Sequence, residues 1–220
     1  MLSVEILKGY PNIFFTSDLH FDHQFMVKGK VDENGVLLPG ATIPRPMFST
    51  VDEMNETIIA RNNERVRPGD LVYDLGDFAV KTTEERAMAY RKRLIGQRYQ
   101  FEGNHDQIAT KLAKKGAFIW YRQLEELSLG SPYFEGDKRQ LIVLCHYAMK
   151  VWHNSFRGAF MLYGHSHGML PEDHTLSFDV GVDVWDFYPV SIEEVKAKMV
   201  RKLPAWLEYQ ETLKGLGRVE

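Results

Sequence analysis

Five short apolar runs in this chain each end in a side chain that can bind a cation. Ile13-Phe14-Phe15-Thr16-Ser17 leads into Asp18-Leu19-His20, and Leu71-Val72-Tyr73-Asp74-Leu75 leads into Gly76-Asp77. Arg98-Tyr99-Gln100-Phe101-Glu102 precedes Gly103-Asn104-His105-Asp106, and Leu141-Ile142-Val143-Leu144-Cys145 precedes His146. Phe160-Met161-Leu162-Tyr163 precedes Gly164-His165-Ser166-His167. Runs this short read as buried strands. Parallel strands bring their C-terminal ends to one sheet edge, where α/β proteins place their sites. The pattern thus requires a fold in which residues distant in sequence converge at that edge. Gly76, Gly103 and Gly164 suit sharp strand exits, where the backbone turns tightly or passes close to a ligand.

Between these runs lie helical patterns, which argues for an α/β or α+β arrangement. Thr50-x-x-Glu53 resembles a capping box and opens a helix to about Val66, ended by Pro68-Gly69. Thr82-x-x-Glu85 caps a second helix, and its Arg91-Lys92-Arg93 are read as cations that favour a helix C-terminus. Asp106–Lys115 is a third helix, and Ser191-x-x-Glu194 starts a last one that Pro204 should end or kink. Further strands are expected at Leu127–Leu129, Gln140–Leu144, Ala159–Tyr163 and Leu176–Val180. Residues 29–47, with Pro39-Gly40 and Pro44-Arg45-Pro46, should form a long surface excursion. No repeat or composition break divides the 220 residues, so 1–220 is read as one domain.

The formal charge of −3 gives no support for tight, non-specific nucleic-acid binding. One cysteine, Cys145, excludes an internal disulfide and suits a reducing compartment. Residues 1–10 lack the apolar stretch of a signal peptide, and no run approaches the ~18 apolar residues that cross a bilayer. A cytoplasmic location without a membrane partner is the expectation.

Asp, His and Asn supply oxygen and imidazole ligands suited to Mn, Fe, Zn, Co or Ni, and there is no thiolate cluster for a structural zinc. Asp18-x-His20 and His165-x-His167 each place two side chains on one side of an extended segment. Alone, Asp-x-His or Gly-Asp after a strand is ordinary turn chemistry. Gly-Asn-His-Asp is more specific, since a chance match in a chain this long is on the order of one in a thousand. The ordered set outweighs its parts. One ion takes about four to six ligands, whereas two ions sharing a carboxylate would use the whole set.

These five blocks, in this order, resemble the calcineurin-like metallophosphoesterase superfamily from Asp18 to about Val195. Asp18-Leu19-His20-Phe21-Asp22-His23, Met54-Asn55-Glu56, Asp179-Val180-Gly181-Val182-Asp183 and Tyr188-Pro189-Val190-Ser191 look like a small single-domain branch found in bacteria and phages. The resemblance implies a four-layer α/β/β/α sandwich with two mixed β-sheets. It implies that Asp18, His20 and His167 bind one metal, that Asn104, His146 and His165 bind a second, and that Asp77 bridges them. It also implies that His105 acts on the substrate, with Asp106 or Asp18 orienting its ring. Phe78-Ala79-Val80 after Asp77, and Glu102 before the Gly-Asn-His-Asp block, depart from the wider family without removing a ligand.

The expected activity is hydrolysis of a phosphate ester. Two divalent ions ~3.5–4 Å apart, Mn first with Mg also admitted, hold the phosphate and a bridging water whose pKa falls towards neutrality. Hydroxide then attacks phosphorus in line, while His105 serves as general acid or oxyanion stabiliser. His23 and Arg45 are candidate substrate contacts, although a solvated surface position is the plainer expectation for Arg45. His153 and Trp152 are candidates for the pocket wall. One alternative is a phosphodiesterase or nuclease acting on nucleotides or nucleic acid. Another is a catalytically silent metal-binding scaffold, which the complete ligand set argues against.

Overall fold

The computed structural model describes residues 9–135 and 139–216. Its elements run β1 (Ile13–Thr16), α1 (Gln24–Lys28), α2 (Val51–Arg65), β2 (Leu71–Asp74), α3 (Glu84–Arg93), β3 (Gln97–Phe101) and α4 (Gln107–Lys114). They continue with β4 (Tyr121–Arg122), β5 (Leu124–Leu129), β6 (Gln140–Cys145), β7 (Phe160–Tyr163), β8 (Ser177–Asp179), β9 (Val190–Ser191) and α5 (Ile192–Gly215). A short 3-10 turn, Ser155–Arg157, lies between β6 and β7.

The strands form two mixed sheets, ordered β4-β3-β2-β1-β9 and β5-β6-β7-β8. In the first, β1 to β4 are parallel and β9 returns antiparallel beside β1. In the second, β6, β7 and β8 are parallel and β5 is antiparallel to β6. Strand alternation then sorts the core. Ile13 and Phe15 join Tyr73, Phe101, Ile142, Leu144, Leu162 and Phe178 in an apolar core shared by both sheets. Phe14 and Val72 face the other way, against Val66. Helix α2 buries Val51, Met54, Ile58 and Ile59, a stripe at helical spacing that packs with Phe21, Phe78 and residues of α3 and α4. Each such side chain contributes about 1.5–3 kcal/mol when fully buried.

Several local expectations change. Thr83, not Thr82, caps α3 by accepting from the Arg86 amide, and Thr82 instead donates to Asp22 Oδ2 at 2.5 Å. At the start of α2, Thr50 accepts from the Glu53 amide, but the Glu53 carboxylate takes the Ser49 amide, so the box is one-sided. Ser191 and Glu194 form the full reciprocal box. Helix α5 continues through Pro204. That ring crowds the carbonyl of Val200, a residue 67% exposed, where water can take the freed acceptor. Residues 29–47 are mostly turns with a Val31–Leu37 bridge, but Arg45 within them is fully buried. Arg91 and Arg93 are structural: Arg91 Nε bonds the Ala117 carbonyl and Arg93 pairs with Glu56. Among the described residues no helix is long and apolar enough to cross a membrane.

Candidate metal centre

The C-terminal ends of the parallel strands deliver the site. Asp18 and His20 follow β1, Asp77 follows β2, Asn104 and His105 follow β3, His146 follows β6, and His165 and His167 follow β7. Asp18, His20, Asp77, His165 and His167 all have positive φ, between 47° and 66°. The segments carrying the paired ligands are therefore left-handed turns, not the extended stretches expected. Asp and His tolerate this region better than bulky or β-branched residues, and such strain persists where surrounding bonds over-determine it. Two glycines are dictated by crowding. A Cβ on Gly103 would lie 2.2 Å from Asp77 Oδ1, and one on Gly164 would lie 2.0 Å from Ser17 Oγ.

Two groups of side chains could each hold a metal ion: Asp18, His20 and His167, and Asp77, His146 and His165. In the first, Asp18 Oδ1 is 3.8 Å from His20 Nε2 and 3.7 Å from His167 Nε2. In the second, His146 Nε2 is 3.7 Å from Asp77 Oδ2, and its ring centroid is 5.1 Å from that of His165. The same Asp77 Oδ2 lies 3.5 Å from His20 Nε2 of the first group. Donor atoms each ~2.0–2.2 Å from one ion sit ~3–4 Å apart, so these separations suit coordination.

Two of the buried polar atoms left without a partner point the same way. Asp18 Oδ1 and His20 Nε2 are buried without a hydrogen-bond partner, and both belong to the first group. Buried polar atoms are normally paired, so an orphaned carboxylate oxygen beside an orphaned imidazole nitrogen fits a missing cation. Burial pushes the Asp18 carboxyl up to about 7, as expected of a carboxylate without its counterion. His146 Nδ1 lies 2.9 Å from the Leu75 carbonyl, an acceptor only, so Nδ1 carries the proton and Nε2 offers a lone pair. Asn104 Oδ1, turned toward that Nε2 at 3.0 Å, is a second acceptor. A cation touching both would satisfy them. Burial, then Arg45 and His167, holds His20 well below the usual imidazole range, and burial likewise lowers His146. Both are thus neutral, as metal ligation requires.

Behind the donors stands a shell that the sequence reading missed in part. Asp183 Oδ2 bonds His167 Nδ1 at 2.7 Å, which aims Nε2 at the first group. Burial alone would depress His167, but Asp183 and Asp18 outweigh it and raise the ring's pKa. Asp183 also receives Arg45 Nε and Nη2 at 2.7 and 2.8 Å. Burial opposes ionisation of Asp183, yet the bonds from His167 and Arg45 hold its carboxyl far below the ordinary range. Asp179 fastens the His165–Gly168 turn through the Ser166 hydroxyl and the Gly168 amide. Both aspartates lie in the Asp179-Val180-Gly181-Val182-Asp183 block, so the signal was present without an assigned role.

Three candidate residues take different places. Arg45 is neither on the surface nor available to phosphate: it is fully buried, and its remaining bonds go to the Asp18 and Leu19 carbonyls and to Met54 Sδ. Asp106 does not orient His105. Its carboxylate accepts the Asp77, Phe78 and Gly103 amides, each at 2.8 Å, and so ties the two ligand-bearing turns together. Asp18 does not orient His105 either, since its Oδ2 accepts the His165 amide at 2.9 Å. His23 is buried, with Nδ1 3.1 Å from His20 Nδ1. With His20 Nε2 kept as a donor to metal, the His20 proton sits on Nδ1 and passes to His23 Nδ1 as a hydrogen bond, leaving His23 its own proton on Nε2. His105 is exposed, its amide donates to Asp77 Oδ1 at 2.8 Å, and its ring lies 5.5 Å from His20 and 5.7 Å from His23. His153 pairs with Glu126 on the surface, and Trp152 is buried with its indole N–H on the Ala159 carbonyl.

Fold and site together define a mixed α/β protein with two adjoining candidate cation sites across its strand ends. No family model matches the chain. It is 29% identical over 203 residues to the uncharacterized protein MJ1445 of Methanocaldococcus jannaschii, covering 87% of this chain and 96% of that one. The fold is similar to the crystal structure of AQ665, a protein of unknown function from Aquifex aeolicus. That likeness has a TM-score of 0.56 at 18% identity, over 85% of this chain and 98% of the other.

Proposed function

We propose that this chain is a two-metal phosphoesterase of the calcineurin-like superfamily, built as its four-layer α/β/β/α sandwich. One observation carries the reading. Asp77 Oδ2 lies 3.5 Å from His20 Nε2 and 3.7 Å from His146 Nε2, so one carboxylate oxygen serves both groups. That is the arrangement of a bridging ligand. Asp18, His20 and His167 would hold one ion, and Asn104, His146 and His165 the other. The mixed O and N donors admit Mn, taken first here, and equally Fe, Zn, Co, Ni or Mg.

Bound to these residues, two ions would supply Lewis-acid polarisation of a phosphoryl group and a water activated at neutral pH. The chain's own residues do the rest. The Asp106 carboxylate locks the Asp77 and Gly103 turns in register, so the bridge and the acid keep a constant separation. His105 presents an exposed imidazole from the turn that also holds Asp77 through its amide, and it donates a proton to the departing alkoxide. His23 offers its Nε2–H to a phosphoryl oxygen.

The test combines metal analysis with turnover of p-nitrophenyl phosphate and its bis-ester. Asp77→Asn is expected to lose nearly all turnover. His105→Ala is expected to keep both ions while slowing by about 10²–10⁴. Two ions bound with no turnover across a broad ester panel would sink the assignment, and unchanged turnover in His105→Ala would remove it as the acid.

A further inference from the structure

Beside Asn104 a cavity of about 520 Å³ opens where the two sheets meet. That lies within the ~300–1,000 Å³ typical of small-molecule sites. Its walls come from three strand ends. Glu102 follows β3, Gln123 links β4 to β5, and Leu124 and Cys145 are cross-strand partners of β5 and β6. Tyr147 closes the side nearest the candidate metals, its ring centroid 4.9 Å from those of His146 and His165.

The charge of this wall is one-sided. Glu102 is its carboxylate, with Gln123 Nε2 beside it at 3.0 Å, and among the described residues no lysine or arginine lines the cavity. The neighbouring Arg122 is paired with Glu125 and lies over the Trp120 ring at 4.9 Å. His153 is likewise paired with Glu126 at 2.9 Å.

We propose that this cavity receives the alcohol part of the phosphoester and selects against anionic alcohols. The substrate is then an ester of an uncharged or cationic alcohol with a flat or apolar portion, which Leu124, Cys145 and the Tyr147 ring can cover. A second phosphate, or the backbone of a nucleic acid, would meet the Glu102 carboxylate with no cation among the described lining residues to offset it. The inference rests on the phosphoesterase reading above.

The experiment uses the Mn-loaded full chain and three esters of similar size: 4-carbamoylphenyl phosphate, 4-carboxyphenyl phosphate and 4-(aminomethyl)phenyl phosphate. At the effective dielectric of ~20 for charges near a protein surface, a like charge ~6 Å away lowers kcat/KM by up to about a hundredfold, so the carboxylate ester should trail the neutral ester by about ten- to a hundredfold. The ratio should narrow in Glu102→Gln and approach or pass unity in Gln123→Lys. Turnover without charge preference, or ratios unmoved in both variants, overturns the cavity assignment alone. Two ions bound with no turnover of any ester overturns the phosphoesterase reading, and this inference with it.

Discussion

Asp183→Asn separates what the buried carboxylate does for the fold from what it does for the site. Asp183 grips Arg45 at 2.7 and 2.8 Å and His167 Nδ1 at 2.7 Å. The substitution keeps the volume and removes the charge. Arg45, with no exposed surface, is then a buried cation without a counter-charge, held by the Asp18 and Leu19 carbonyls, Met54 Sδ and at most the new amide oxygen. Breaking a buried pair costs about 3–5 kcal/mol. Asp183 retains 14% exposure and the carbonyls remain, so the lower end, about 3 kcal/mol, applies. For a chain of this size that lowers Tm by about 6–12 °C. Meanwhile His167 loses its charged orienting partner and competes with Arg45 for the single amide oxygen left, which costs about 10–100-fold in metal affinity. Asp183 does not bond Asp77, His146 or His165 in the second group, so one ion should weaken much more than the other. Metal content measured after dialysis against graded chelator reads this as a step from two ions to one. Arg45→Met combined with Asp183→Asn removes both buried charges and should recover Tm without recovering affinity. Asp183→Asn that keeps both ions and the parental Tm refutes the reasoning, as does equal weakening of the two ions.

Gly103→Ala would drive a methyl to within 2.2 Å of Asp77 Oδ1, so both Tm and turnover should fall, by about 1–3 kcal/mol for the overpacking. Gly130→Ala, whose Cβ meets nothing closer than 3.6 Å, is the control, and equal melting of the two variants would contradict the close approach. His23 is held at about 4 by burial, with His105 and Lys81 adding to the effect, against about 6.5 when unfolded. Between those pH values the unfolded chain binds a proton that the folded chain refuses, so metal-free stability falls as pH drops through the window. His23→Gln removes that linkage, so denaturant midpoints from pH 6.5 to 4 should fall less steeply than in the parent; matching slopes would count against it.

The strands and the ligand-bearing turns were legible because each carries a local mark: an apolar run, an exit, and a donor side chain. Gly-Asn-His-Asp and Gly-His-x-His needed no tertiary knowledge to stand out. What failed were roles set by distant partners. Asp106 looked like the orienter of its neighbour His105, but its carboxylate is spent on amides 28 and 29 residues away. Arg45 sat among prolines and glycines that signal a surface loop, and only its bond to Asp183, 138 residues on, draws it inside. The left-handed backbone at Asp18 and His165 was equally hidden, because it follows from turns that both sheets hold in place. Thr82 and Thr83 offered the same cap chemistry one residue apart, and Asp22 decided between them by claiming the Thr82 hydroxyl.

Each candidate metal group draws on both sheets: Asp18 and His20 with His167, and Asp77 with His146 and His165. On the two-metal reading, an ion here rivets one half of the chain to the other, and neither half alone presents a complete cage. An ligand that binds only the assembled state adds stability by mass action, about 2.7 kcal/mol at a hundredfold excess over Kd. Trace-metal supply would then govern how much of this protein survives in a cell as well as how fast it works. Starvation for the ion would show first as shortened protein lifetime.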